Sequence, residues 1–396
     1  MSTERTFDPI APLAGPPDPW ASTDMPSLRD RPPYHMTDMI AAEPAVAGRI
    51  VAALSGAGPA ADLAWAIRAT VERGEPVTIV GCGTSEHAAQ AAAEILGEAA
   101  SAAGHDRAIV TAVQAFESAL RPPTSGLVIG VSHEGGTVAT NAALSAARDV
   151  GRQTAVITVT RRSPSGDLAD IVVETNELDQ GWCHIVGYLS PIVAAAAVGA
   201  HLSGVALEGE SVGRAVSAGT RDEAGAERIA AGLAAGSRIL VIASGADRPA
   251  GRELVLKIEE GAWVPSAYRD LETFLHGHLP SVDSSTTVLL VLADRNSRAE
   301  RVRRGRQALA AARAVGARTA AIATADGATE LDGELTLGRI TVEAAPDLPS
   351  AVAALLGTAT PLQLVTERLA RARGTNPDPI RRDNPLYLAA SDAAEH

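Results

Sequence analysis

The chain has almost no lysine: of its 34 basic residues only Lys257 is one, and the other 33 are arginine. Such a bias replaces lysine wherever arginine serves, so the one that persists either marks a place that needs a compact, deprotonatable amine or is simply the remainder. Aromatic residues make up 3% of the sequence, which leaves the core to Ala, Val, Ile and Leu. Two cysteines, Cys82 and Cys183, exclude a disulfide framework and zinc spacing and fit a reducing cytosol. Positive charge is also short, and a net charge of -13 argues against nucleic acid or an anionic membrane as the main partner. No basic segment followed by an apolar run opens the sequence, so no secretory signal is visible and a cytoplasmic protein is expected. Only residues 185–207 form an uncharged run long enough to cross a bilayer. Pro191, His201, two serines and three glycines interrupt it, which favours a buried helix, in the core or at a subunit interface.

What is present points to an α/β protein. A length of 396 residues with 46% hydrophobic content is enough for two full cores. Residues 1–33, rich in Pro, Ser and Asp and without periodicity, read as a tail, mobile or draped over the surface. Met36, Met39, Ile40, Val46, Ile50, Val51 and Leu54 then fall on one side of a helix, and a second helix is predicted over 61–73. A strand at 77–81 leads through a small-residue turn into a helix over 86–103. Further strands are expected near 108–113, at 126–132 and at 154–160, with a helix over 138–150. Strands alternating with helices across short glycine turns describe a parallel sheet covered on both faces.

The second half repeats the first. Strands at 238–245, 287–294 and 318–324 answer those at 77, 127 and 154. Residues 146–157 and 311–322 are identical at eight of twelve positions, which argues for two copies of one α/β unit. The strand ends of the two copies differ. In the first, Gly81 and Gly83 allow a sharp turn, while Thr84 and Ser85 present hydroxyls where a helix begins. A second polar turn, residues 132–137, also opens a helix. Helix starts offer unpaired N–H groups and partial positive charge, so both turns suit an anion such as phosphate. The second copy has Ser244-Gly-Ala-Asp247 and Asp294-Arg-Asn296 instead, which assigns any anion cradle to the first copy.

Gly81-Cys-Gly-Thr-Ser85, Ser132-His-Glu-Gly-Gly-Thr137, Glu260, His276-Gly277 and the doubled architecture together resemble the SIS (sugar isomerase) proteins, and among them the isomerase half of glucosamine-6-phosphate synthase. The similarity runs from about residue 33 to about residue 375. It implies two tandem flavodoxin-like SIS subdomains: lead-in helices and a ligand-binding subdomain over 34–215, and a second subdomain supplying catalytic groups over 216–372. Tails at 1–33 and 373–396 flank them. It further implies a homodimer and no metal or cofactor, with Gly83, Thr84, Ser85, Ser132, His133, Glu134 and Thr137 lining the place of the sugar and its phosphate. Glu260 falls where the family has the base that moves a proton between C1 and C2. His276 falls at its ring-opening histidine, often donated across the dimer, and Lys257 at a lysine one helical turn before the base. A Lys–Glu pair three residues apart shares a helix face, which would hold Glu260 ionised and oriented.

The sequence also departs from that pattern. No glutaminase domain precedes Met36, and the tail beyond Gly374 has no lysine, so an imine, if one forms, would have to use Lys257. Arg381, Arg382 and Asp383 either close over the ligand or are solvated charge. Glu134 stands where the synthase has a serine in its phosphate turn. Either it points away, or the ligand carries an amine or lacks the phosphate. The segment 181–185 differs from the family's Ser-Thr-Lys segment. The expectation is a sugar or sugar-phosphate isomerase, aldose–ketose or amino sugar isomerase/deaminase, acting through an enediol or enolamine. The alternative is a non-catalytic sugar-phosphate-binding regulatory protein.

Overall fold

The computed structural model describes residues 7–218 and 221–395. Two parallel five-stranded sheets carry the fold. The first contains β1 (Val77–Gly81), β2 (Val110–Gln114), β3 (Leu127–Val131), β4 (Gln153–Thr158) and β5 (Ile171–Glu174) in the order β2-β1-β3-β4-β5. The second contains β6 (Arg238–Ala243), β7 (Ser266–Asp270), β8 (Thr286–Leu292), β9 (Arg318–Thr324) and β10 (Arg339–Val342) in the order β7-β6-β8-β9-β10, the same topology position for position. This is the flavodoxin-like order 2-1-3-4-5 twice over. The central strands are buried along their whole length, as a parallel sheet covered on both faces requires. The duplicated stretch lands equivalently in both copies. Gly151 (φ 74°) and Gly316 (φ 88°) each turn the chain out of a helix in the left-handed region, directly before β4 and β9.

The helices that position the site are α1 (His35–Leu54), α2 (Pro59–Glu72), α3 (Thr84–Ala102), α4 (Val138–Asp149), α5 (Val186–Ser203), α6 (Arg248–Lys257), α7 (Arg298–Ala314), α8 (Ser350–Arg373) and α9 (Pro385–Glu395). One hydrophobic core joins the inner faces of the two sheets, with Ile79 and Ile129 on one side, Val241 and Leu289 on the other, and α5 and α8 between them. Separate clusters cover the outer faces, around Val128 and Leu144 and around Leu290 and Leu309. The apolar run is the core helix α5, and 83% of it is buried inside the protein. A short helix, Gly209–Ala218, runs across residue 215, so the chain passes between the two halves as a helix and not as an open linker.

Two features depart from the sequence expectation. Helix α3 starts at Thr84, two residues early, because Gly83 (φ 56°) is itself the left-handed residue before the first turn. The edge strands β5, β7 and β10 were not foreseen. They are four or five residues long and only partly buried, so they lack the continuous apolar run that marks their neighbours.

The segment 7–33 has no regular structure yet is held down throughout. Leu13 N–H donates to the Glu177 carboxylate (3.0 Å), Arg49 reaches the Ile10 carbonyl (2.8 Å), and the Trp20 indole N–H donates to the Glu134 carbonyl (2.9 Å). The tail is therefore draped. It is clasped to the other end of the chain, where Asn376 donates to the Arg29 carbonyl and Asp378 caps α1 by accepting from His35 N–H (2.8 Å) and Met36 N–H (2.9 Å).

Candidate active site

The polar turns after β1 and β3 open into one cleft of about 400 Å³ at the carboxyl ends of the first sheet's strands, where open α/β sheets bind ligands. Gly81 is fixed by space, since a Cβ there would lie 2.4 Å from the Ser85 carbonyl oxygen. No side chain caps α3; the N–H groups of Ser85 and Glu86 turn back to the carbonyls of Cys82 (3.1 Å) and Gly83 (2.9 Å), and Gly83, Thr84 and Ser85 line the cleft mouth. From the second turn His133, Glu134, Gly136 and Thr137 line the cleft. Ser132 does not: it is fully buried and donates to the Thr137 hydroxyl from behind (3.3 Å).

The third wall is the loop before α5. Buried Asp179 shapes it by accepting from the N–H groups of Gly181 (3.2 Å), Ile185 (2.6 Å) and Gly187 (3.0 Å), and so aims Trp182 and His184 into the cleft. The Asp179 N–H donates to His133 Nε2 (2.9 Å), which places the hydrogen of the neutral ring on Nδ1. Burial, then neighbouring His184, lowers the His133 pKa to about 3, with Asp179 opposing. Burial and then Lys257 lower that of His184 to about 4. Both rings, packed edge to face at 5.3 Å, are neutral at physiological pH.

Glu260 forms the floor. It lies on a wide π-helical turn, Ile258–Ala262, that continues α6 and ends at Trp263 in the left-handed region (φ 58°). Such turns recur at functional sites. Lys257, fully buried, donates to Glu260 Oε2 at 2.6 Å and lies 3.5 Å from Glu253 Oε1. The other oxygen of Glu253 meets His87 Nδ1 of α3 at 2.7 Å. A buried carboxylate of the second half thus ties α3 to the Lys257–Glu260 pair. Burial works against the Lys257 ammonium, but the carboxylates of Glu260 and Glu253 outweigh it and hold its pKa well above the ordinary lysine range. At Glu260 the balance reverses: burial outweighs Lys257 and raises the pKa. Pairing with Lys257 therefore orients Glu260 and helps it to ionise, but burial outweighs that help. The two shifts differ because Lys257 has two carboxylates beside it and Glu260 a single ammonium.

His276 is elsewhere. Its side chain is 71% exposed, and Nε2 pairs at 2.7 Å with Glu272, which Arg304 also holds. Within one protomer the cleft therefore brings together Gly83, Thr84, Ser85, His133, Glu134, Thr137 and Glu260, with Lys257 behind, but not His276.

Both ends of the chain complete the walls. Ser22 and Thr23 line the mouth next to Glu134, whose carboxylate accepts from Thr23 N–H (2.9 Å). Ile380 and Arg382 line it from the other end, with Arg382 5.2 Å over the Trp182 ring. Arg381 instead stacks between Trp263 and Tyr387. Sequence reasoning missed Glu253, His87, Asp179, His184 and Thr23. Only Glu253, one helical turn before Lys257, left a usable signal. Among the described residues no group of three or more His, Cys, Asp or Glu is arranged to hold a metal ion.

Residues 232–332, in the second half, match the model of the SIS domain. No curated protein matches the chain by sequence. By fold it is similar to the C-terminal domain of glucosamine-fructose-6-phosphate aminotransferase from Francisella tularensis (TM-score 0.73, 18% identity, covering 89% of this chain and 99% of that one). It is similar to tagatose-6-phosphate ketose/aldose isomerase from Escherichia coli (TM-score 0.69, 16% identity, 90% and 98%). It is also similar to glucosamine-6-phosphate deaminase from Thermotoga maritima (TM-score 0.59, 17% identity, 84% and 96%).

Proposed function

We propose, from the match of residues 232–332 to the SIS domain, that the chain is a sugar isomerase, with Glu260 as the base that moves a proton between adjacent carbons of a ligand held at residues 83–85 and 133–137. One observation carries this reading: a carboxylate with a raised pKa, backed by a buried ammonium, shares a single cleft with the hydroxyl-bearing turns of Thr84, Ser85 and Thr137. Aldose–ketose interconversion needs such a group. Glu260 takes the proton from C2, the C–H pair forms the C1=C2 bond and the carbonyl pair moves onto O1 to give an enediolate; the O2 hydroxyl proton passes to O1, C2=O forms, and the proton held by Glu260 returns to C1. A raised pKa narrows the mismatch with a weak carbon acid. While Glu260 carries the proton, Lys257 keeps Glu253 as its partner, so the buried ammonium is never left without a carboxylate. Lys257 acts through Glu260 and is not an imine-forming nucleophile, since it is sealed from the cleft and held protonated.

An amino sugar would follow the same route through an enolamine, with ammonia released or retained. Ring opening would fall to His276 of a second copy in a homodimer. Solvent-deuterium exchange at C2 of a bound sugar, followed by NMR, tests the assignment: Glu260→Gln abolishes exchange and leaves binding intact. Unchanged exchange in that variant refutes it. A second reading, a non-catalytic sugar-binding regulator, is favoured by the exposure of His276 outside the cleft. It requires that the wild-type protein bind the sugar and exchange nothing.

A further inference from the structure

Glu134 lines the cleft, and its carboxylate is held at the mouth by the N–H of Thr23, another lining residue, at 2.9 Å. Trp20 locks the same turn from outside. Its indole N–H bonds the Glu134 carbonyl, and its ring packs so closely on Gly136 that a Cβ there would meet it at 2.9 Å. The charges around the cleft can be counted. Glu134 contributes one negative charge, and Glu253, Lys257 and Glu260 together contribute another. Arg382 contributes one positive charge, and His133 and His184 contribute none. With Asp179 in the wall behind His133 and His184 the balance is two negative charges, and that of Glu134 lies in the turn where a phosphate would have to sit. A dianion placed there meets a fixed carboxylate at short range in a partly enclosed site. A hydroxyl instead finds an acceptor in Glu134. His133, 7% exposed, lines the same cleft as a neutral ring whose buried Nδ1 has no hydrogen-bond partner.

We propose that the cleft takes an unphosphorylated sugar, amino sugars included, whose terminal hydroxymethyl group donates to Glu134, and that Glu134 excludes the 6-phosphate. This rests on the sugar-isomerase reading and sets the chain apart from the solved structures named for 6-phosphates. A protonated amine on the sugar is compatible with the same charge balance, whereas a second anion is not.

The test is calorimetric titration of the wild type and of Glu134→Ser with glucosamine, fructose and their 6-phosphates at pH 7.5. Wild-type protein is expected to bind the unphosphorylated member of each pair at least about tenfold more tightly, and Glu134→Ser to narrow or reverse that gap by about tenfold or more. Should Glu134→Ser fold poorly because Thr23 loses its partner, Glu134→Gln removes the charge but keeps an oxygen for that N–H, and the gap is again expected to narrow. Tighter binding of the 6-phosphates by wild type overturns the proposal and leaves the isomerase reading standing. So does a gap that neither substitution changes. Binding of none of the four compounds by wild type or variant removes both.

Discussion

Replacing Lys257 by methionine keeps an unbranched side chain in the core and removes the one buried cation of the triad. At an effective dielectric of about 20, unit charges at the observed 2.6 Å and 3.5 Å attract by about 6 and about 5 kcal/mol. Burying each ion costs several kcal/mol, so the net loss on removing one partner is about 3–5 kcal/mol. The loss has a direction in pH. Without the ammonium, Glu253 and Glu260 repel each other in a buried site: Glu253 loses the neighbour that, with His87, holds it below 4.5 against burial, and Glu260, which burial already raises, rises further. A raised carboxyl pKa means that the native state holds the proton more tightly than the unfolded chain, so the deficit is small near pH 4.5 and grows as pH rises. Urea denaturation at pH 5 and pH 8 reads this directly. We expect the midpoint to fall by roughly 1 M at pH 8 and by clearly less at pH 5. Adding Glu253→Gln should recover about 1–2 kcal/mol at pH 8 by removing one of the stranded charges. A pH-independent loss below about 1 kcal/mol would refute the claim that the base is held by a buried ion triad.

Three further outcomes follow from the same geometry. Asp247, fully buried with Oδ2 accepting from the N–H groups of Ala293 and Asp294, is pushed up to about 7 by burial, against those bonds and Arg301 and with help from Asp294. Its stabilising contribution is complete below the unfolded value of 3.8 and is lost as pH rises through about 7, a change of roughly 4 kcal/mol. Asp247→Asn should flatten the stability profile over that window, as followed by urea midpoints. In the pH dependence of kcat/KM, the acid limb should reflect a group above the ordinary glutamate range, because burial raises Glu260. Finally, Glu260→Gln and His276→Asn proteins, each inactive alone, should regain about a quarter of wild-type activity after subunit mixing if His276 serves the partner's cleft. No recovery from verified mixed dimers would exclude that arrangement.

The frame was legible because its cause is local. Buried central strands such as β1, β3 and β8 must be continuous apolar runs, and the matched Gly151 and Gly316 turns announced the duplication. The cradle was legible for the same reason, since small residues at 81–85 leave few other ways to join that strand to that helix. Glu260 was singled out through resemblance, and the His87–Glu253 contact beside it was not, because those two residues are 166 positions apart and meet only in space. Asp179 and Thr23 act through one or a few hydrogen bonds from aperiodic segments, which no spacing rule detects. The wide turn that carries Glu260 continues a helix with no glycine or proline to mark where it begins.

Thr23 and Arg382 face the same cleft from far-apart stretches of the polypeptide, so its mouth is complete only when both are docked. A molecule whose sheets have already formed but whose ends are still loose would look native by circular dichroism and yet hold its ligand poorly. Ligand affinity should therefore register damage or fusion at either extremity well before melting temperature does.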